Sequence, residues 1–443
     1  MSELLGFPYF EVEFNKNGKS SNPAQVKVLT DFLTEGDTTD LIVISHGWNN
    51  DMKEARDLYR RIFECVRTVI DEKKAVGVSK RKFAIMAVLW PSHKFAEKQL
   101  IPSGAASIGS PFTDDILKQE LESMKAVFNT KKGRDTIDKA KLLVPKLEDS
   151  KKARTEFADL LRSLLPKKIS PEADAAEDFS KLPGDELLQR LSKPVPVTFS
   201  KPKATGGAAM VGDVTSNNRG GAAGIAQFFS GIKSSAAHLL NLTTYYVMKE
   251  RSGIVGSTGV NDILRSIRAK DATLKFHLVG HSFGGRLVTS VIAGNDEHAA
   301  VKVDSLTLLQ AAFSHYGFSE KYDGVNNGFF RKVVTDKLVS GPTLITCTDN
   351  DKAVGLAYPL ASLLAGQVAA GLGDKNDKYG GIGRNGAQKT PEASDGTLLK
   401  VGGAYAFKAG KLYNLNSDAV ITGHSDLAHN EVAYALLNAV STT

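Results

Sequence analysis

The residues best equipped for chemistry in this chain are Gly280-His281-Ser282-Phe283-Gly284, a G-x-S-x-G pattern followed by Gly285. At this glycine content the pattern is common, so its surroundings decide what it means. KFHLV precedes it and reads as a strand; RLVTSVIAG follows and reads as a helix. A serine on a sharp strand-to-helix turn has unfavourable backbone dihedrals, and small residues two places away let the chain fold back closely. The start of the helix aims free N–H groups at developing negative charge. This is equipment for attack on an acyl carbonyl. The serine would also need a base for its proton and a carboxylate to fix the tautomer of that base. His424 and His429 in TGHSDLAHNE are candidate bases, and Asp349 and Asp351 in CTDNDKAV are candidate acids. The other histidines fit less well: His277 lies inside a strand, His281 is the variable residue of the turn, and His315 follows another strand.

Positioning such groups requires a rigid scaffold, and the chain reads as strand and helix in alternation. Tyr9–Phe14 alternates apolar and acidic residues. Leu41–Ile44, Phe83–Leu89, Phe276–Val279, Ser305–Leu309 and Thr343–Thr346 are short apolar runs of buried-strand type, each expected to be followed by a helix. Met52–Ile70 has helical spacing through Leu58, Ile62, Cys65, Val66 and Val69. Alternation of this kind predicts a mostly parallel central sheet with helices on both faces and ligands beyond the carboxyl ends of the strands.

The order breaks at residues 95–225. This stretch reads as a basic, mainly helical insertion, a candidate cap, ending in a Gly/Ala-rich linker; 131–170 alone holds 12 Lys/Arg against 6 Asp/Glu. The core is then 1–94 and 226–443. A second insertion, Gly371–Gly410, reads as irregular or hairpin-like. Val354–Gly373 carries no charge and is long enough to span a bilayer, but Pro359, Ser362, Gln367 and several glycines make it a buried core helix instead.

With 443 residues, 42% hydrophobic and 24% charged, the composition is that of a globular protein with a substantial core. Two cysteines, Cys65 and Cys347, exclude a disulfide framework. The N-terminus MSELLGFPYFEVEF lacks the basic and apolar regions of a secretory signal, which points to the cytoplasm. The net charge of +7 favours anionic surfaces without requiring them. Nucleic acid is not expected, because the basic run lacks the regular aromatic interleaving of single-strand binders.

Ser282 in its strand–turn–helix setting makes the chain resemble the α/β-hydrolase superfamily, near bacterial esterase- or lipase-like members, over roughly residues 1–95 and 226–443. The resemblance implies the α/β-hydrolase fold and the chain order Ser, Asp or Glu, His. It implies an oxyanion hole from the HG turn Ser45-His46-Gly47-Trp48-Asn49-Asn50, made by the backbone N–H groups of Trp48 and Phe283. His46 itself is expected to be structural. Within the superfamily an acid followed three residues later by valine favours Asp351 with Val354, and Asp349 is the alternate. A histidine in the loop after the last strand, following glycine, favours His424, and His429 is the alternate.

The implied activity is hydrolysis of carboxylic esters, of small molecules or acyl lipids, through an acyl-enzyme. Its rivals are a membrane-directed phospholipase recruited by the basic insertion and a catalytically silent binding module. Gly381-Ile382-Gly383-Arg384-Asn385-Gly386 formally fits G-x-G-x-x-G but lacks the preceding strand of a dinucleotide site, and no metal motif is present. No cofactor and no metal are expected.

Overall fold

Asp40–Ser45 (DLIVIS) and Phe83–Leu89 (FAIMAVL) are strands in which every residue is buried. Unbroken apolar runs of this kind suit parallel strands covered on both faces. The computed structural model describes residues 2–48, 50–92, 113–166, 169, 172, 176–192, 231–351, 375 and 379–443. Among the described residues the strands are β1 (Ser2–Leu4), β2 (Phe7–Glu13), β3 (Asp40–Ser45), β4 (Phe83–Leu89), β5 (Lys275–His281), β6 (Ser305–Leu309), β7 (Thr343–Cys347), β8 (Ala393–Thr397) and β9 (Leu412–Asn416). They form one sheet in the order β1-β2-β4-β3-β5-β6-β7-β9-β8. Only β1 on β2 is antiparallel. The protein is therefore of the α/β class. The register sets Ser45 beside both Val88 and Gly280, so the chain leaves β3, β4 and β5 along one carboxyl edge.

Strand alternation divides the apolar residues between two cores. Leu41 and Val43 of β3 enter one; Ile42 and Ile44 enter the other. Each such side chain contributes about 1.5–3 kcal/mol on burial. The helices are α1 (Pro23–Glu35), α2 (Met52–Asp71), α3 (Asp114–Met124), α4 (Lys131–Leu143), α5 (Lys151–Arg162), α6 (Ala176–Lys181), α7 (Gly184–Leu191), α8 (Ile232–Ile254), α9 (Asn261–Lys270), α10 (Phe283–Ala293), α11 (Arg331–Thr335), α12 (Ile382–Asn385) and α13 (Asn430–Ser441). A π-helical stretch, Val255–Val260, joins α8 to α9. α2 and α13 cover one face; α1, α8, α9 and α10 cover the other. α2 starts on a reciprocal cap: Asp51 Oδ1 accepts the Glu54 N–H at 2.8 Å, and Glu54 Oε2 accepts the Asp51 N–H at 3.0 Å. This start sets the register that buries Tyr59 beneath the β3–α2 turn.

The described part of the insertion, α3 to α7, is helical. Its buried Leu117, Leu121, Ile137, Phe157 and Leu187 share one hydrophobic cluster with Val43, Met86 and Trp90. Some of its charges pair among themselves, as Lys125–Asp138 (2.7 Å), Lys141–Glu122 (2.5 Å) and Arg154–Asp185 (2.5 Å). The insertion boundaries at 95 and 225, the whole expected Gly/Ala-rich linker at 201–224, and the Val354–Gly373 segment lie outside the described residues. No helix among those described is long and apolar enough to cross a membrane.

Two expectations need correction. β6 is not followed by a helix: residues 310–330 are irregular and only the short α11 comes after them. The reason is that their backbone groups are taken by distant partners. The Ala312 N–H donates to Ser282 O (3.0 Å), the His315 N–H donates to Gly380 O (2.7 Å), and Ser314 forms a bridge with Gly381. The described part of Gly371–Gly410 is mostly irregular, one of the two forms expected of it, but not hairpin-like: β8 runs parallel to β9 at the sheet edge, with α12 before it.

Candidate active site

Ser282 lies between the end of β5 at His281 and the first residue of α10, with φ +55° and ψ −124°. Such dihedrals are strained for a residue with a side chain, by about 1–3 kcal/mol, and persist only where the surroundings hold them. Here the Ser282 N–H donates to Leu309 O (3.1 Å), while Ser282 O accepts from the N–H groups of Gly285 and Ala312, both at 3.0 Å. The flanking glycines are a steric requirement. A Cβ on Gly280 would sit 2.3 Å from Gly284 O, and one on Gly284 would sit 2.2 Å from Ser45 O. Among the described residues the Phe283 N–H has no hydrogen-bond partner, as expected for the first turn of a helix.

The β3–α2 turn lies directly against Ser282. A Cβ on Gly47 would approach Ser282 Cβ to 2.5 Å and Ser282 Oγ to 3.1 Å. The next residue, Trp48, packs its ring against Phe283 with centroids 6.0 Å apart. His46 rivets the turn from below. Its N–H donates to Tyr59 Oη (2.7 Å), and Tyr59 Oη–H donates to Val88 O (2.6 Å). The Trp90 N–H donates to His46 Nε2 (3.3 Å) and Trp90 Nε1–H to His46 O (2.9 Å). This leaves the proton on Nδ1, which donates to Gly47 O at 2.9 Å. Burial lowers the His46 pKa to about 4, so the ring is neutral.

The structure brings Asp351 and His424 together. His424 Nδ1–H donates to Asp351 Oδ2 at 2.7 Å, and Asp351 is fully buried. It does not bring the alternates to this point. Asp349 is tied into its own turn, its N–H on Asp418 Oδ1 (2.8 Å) and its carbonyl accepting from Arg384 Nη1 (3.0 Å). His429 is the N-cap residue of α13, and its Nε2 meets Asp426 Oδ1 at 2.8 Å. Asp426 also accepts from the N–H (2.9 Å) and hydroxyl (2.7 Å) of Thr422, which braces the loop around His424. Val354 lies outside the described residues.

His281 is the link between the serine turn and this loop, a role that its position in the motif did not reveal. Its Nε2–H donates to His424 O at 2.9 Å, and the two rings lie 4.8 Å apart. Burial, then the neighbouring His424, holds the His281 pKa well below the ordinary histidine value. Ser282 Oγ itself is in no hydrogen bond among the described residues; sites of this kind often tighten only around substrate. A hydroxyl on a strained turn, two backbone segments beside it and an imidazole–carboxylate pair on the same edge are chemically suited to acyl transfer.

A second Ser–His–Asp set lies at the opposite, amino edge of the sheet. His277 Nδ1 is 2.8 Å from Ser305 Oγ, and His277 Nε2 is 2.8 Å from Asp40 Oδ1. Asp40 also pairs with Arg81 at 2.5 Å. All three members are sealed from solvent, and Ser305 begins a regular strand, so this set is scaffold. A histidine inside the apolar run KFHLV was the signal for it, because a buried polar side chain requires partners.

The glycines of the G-x-G-x-x-G stretch serve packing: a Cβ on Gly383 would lie 2.4 Å from the Gln310 carbonyl carbon. A cleft of about 610 Å³ runs beside β8 and β9, lined by residues including Glu320, Lys389, Asp395 and Asn414, three strands away from β5 and without a serine or histidine. No group of three or more His, Cys, Asp or Glu suited to a metal ion occurs among the described residues. Set beside protein-family models, curated proteins and solved structures, the chain matches none of them.

Proposed function

We propose that the chain is a serine hydrolase of the α/β-hydrolase fold that cleaves carboxylic esters, small or lipid, through an acyl-enzyme on Ser282. His424 Nε2 takes the Ser282 proton as Oγ attacks the acyl carbonyl. Asp351 holds the imidazole by its Nδ1–H and balances its charge. The backbone N–H groups of Phe283 and Trp48 receive the oxyanion. His424 then returns the proton to the leaving alcohol as the C–O bond breaks. Water, deprotonated by the same imidazole, releases the acid and restores the serine.

The observation that carries this reading is the strained backbone of Ser282, φ +55°, at the head of a buried helix and pressed against Gly47. With ψ −124° that φ lies outside the left-handed helical region and is strained for any residue that carries a side chain. The basic insertion offers less support for membrane recruitment, because some of its cations pair internally; salt-sensitive binding to anionic vesicles would restore that alternative.

The test is covalent labelling by a fluorophosphonate probe. Wild-type protein and Ser305→Ala are expected to label, Ser282→Ala not at all, and His424→Ala at a rate lower by about a hundredfold or more. An unlabelled wild-type protein would bring forward the silent binding module. Labelling that survives in Ser282→Ala would overturn the assignment.

A further inference from the structure

Three cations sit in or against the last turns of α8, and only two are compensated. Lys249 lies 3.6 Å from Glu172, and Arg286 of α10 lies 2.7 Å from Glu172 and 3.8 Å from Glu250. Arg251, only 9% exposed, has no carboxylate within 4 Å among the described residues. Its one hydrogen bond is from Nη1 to Pro91 O, at 2.6 Å. Its Nε and Nη2 have no partner among the described residues, yet they are not sealed from solvent. Burial lowers the pKa of this guanidinium to about 10 with no acidic neighbour to offset it, so it stays charged at neutral pH. A desolvated, unpaired cation is costly, and a guanidinium fork suits carboxylate or phosphate oxygens.

Its location is specific. Pro91 follows β4 at the carboxyl edge, and Ser92 Oγ donates to Asn50 O of the turn beside Ser282 at 2.7 Å. β4 is two strands from β5, a lateral separation of about 10 Å. We infer that Arg251 is a substrate-recognition residue: the preferred esters carry a carboxylate or phosphate group remote from the scissile carbonyl, on the β4 side of the serine. This rests on the hydrolase reading of Ser282. The chemistry is one-sided, since a guanidinium offers only donors and cannot receive a cationic or hydroxyl-donor terminus.

The experiment compares kcat/KM for the mono-p-nitrophenyl ester of suberic acid with that for p-nitrophenyl octanoate, in wild type, Arg251→Met and Arg251→Lys. The anionic-to-neutral ratio is expected to fall by about ten- to hundredfold in Arg251→Met, chiefly through KM, and to recover partly in Arg251→Lys. An equal ratio in all three overturns the inference and leaves the hydrolase reading standing. Should wild type turn over neither ester, the hydrolase reading fails and binding decides the inference. Monooctyl phosphate is then titrated into Ser282→Ala protein, with inorganic phosphate as a second ligand. Binding of monooctyl phosphate that weakens at least tenfold on adding Arg251→Met upholds the anion site. Binding indifferent to that change overturns it. Equal, Arg251-dependent affinity for inorganic phosphate would identify the free anion rather than an anionic ester as the ligand, and would overturn the substrate assignment.

Discussion

Replacing Gly47 by alanine adds one methyl group at the most crowded point of the candidate site. That methyl would lie 2.5 Å from Ser282 Cβ, 3.1 Å from Ser282 Oγ and 3.2 Å from His281 O. Ordinary carbon contacts begin near 3.5 Å, so the two segments must part by about 1 Å. Ser282 has little room to retreat, because Leu309, Gly285 and Ala312 hold its backbone on both sides. The Gly47–Trp48 segment therefore moves, and the Trp48 N–H with it. A misplacement of about 1 Å costs about a hundredfold in rate, and removing one oxyanion donor costs about 10²–10³. Overpacking at such a site costs about 1–3 kcal/mol, which a folded protein of this size should survive. The assay is the second-order rate of fluorophosphonate labelling beside a thermal melt. Gly396→Ala on the edge strand β8 serves as the control, since its new methyl would make only ordinary contacts, with Leu415 Cδ2 at 3.6 Å and Asn414 O at 4.0 Å. The expected result is labelling slowed about a hundredfold in a still cooperative protein. Wild-type labelling in Gly47→Ala would refute the reasoning that this turn serves the serine.

Two further outcomes follow from the histidines. His281→Phe keeps a ring against His424 but removes the donor to its carbonyl; kcat is expected to fall by up to about tenfold with KM little changed, and an unaltered kcat would remove His281 as a positioning residue. Burial lowers the His46 pKa to about 4, below the unfolded value near 6.5, so the unfolded chain binds the extra proton first. Stability from this residue is complete above pH 6.5 and is lost as pH falls through 4, by about 3 kcal/mol in total. Urea unfolding at pH 7.0 and 4.5 measures it, and equal free energies at both would contradict a neutral, riveting His46.

The central strands were legible because burial on both faces demands apolar runs, and β3, β4 and β6 have them. The edge was not. β8 reads ASDGT, is mostly exposed and carries no apolar signal, and β9 (LYNLN) has asparagines among its leucines. Asn414 is paid for by tertiary partners, accepting the Ala387 N–H at 2.8 Å and donating to Asp395 Oδ1 at 2.9 Å. The choices between Asp349 and Asp351, and between His424 and His429, depend on how two turns point their side chains. In the acid loop that direction is set by Asp418 and Arg384, which are 69 and 35 residues from Asp349 in sequence. Spacing within the loop does not contain it. Arg251 is a similar case: one basic residue in a long helix becomes distinctive only when its neighbours are seen to have carboxylates and it has none among the described residues.

The buried Ser305–His277–Asp40 chain has a consequence for how reactive centres are recognised. Judged by interatomic distances alone, it is the better constellation, with both of its contacts at 2.8 Å. It is also at rest: hydroxyl, imidazole and carboxylate already satisfy one another, leaving nothing for an incoming molecule to complete. At the other edge Ser282, strained in its backbone and with its hydroxyl in no hydrogen bond among the described residues, shares the carboxyl side of the sheet with a guanidinium that has open donors. A geometric template would choose the amino edge, whereas incompleteness, meaning polar groups still waiting for a counterpart, chooses the carboxyl edge.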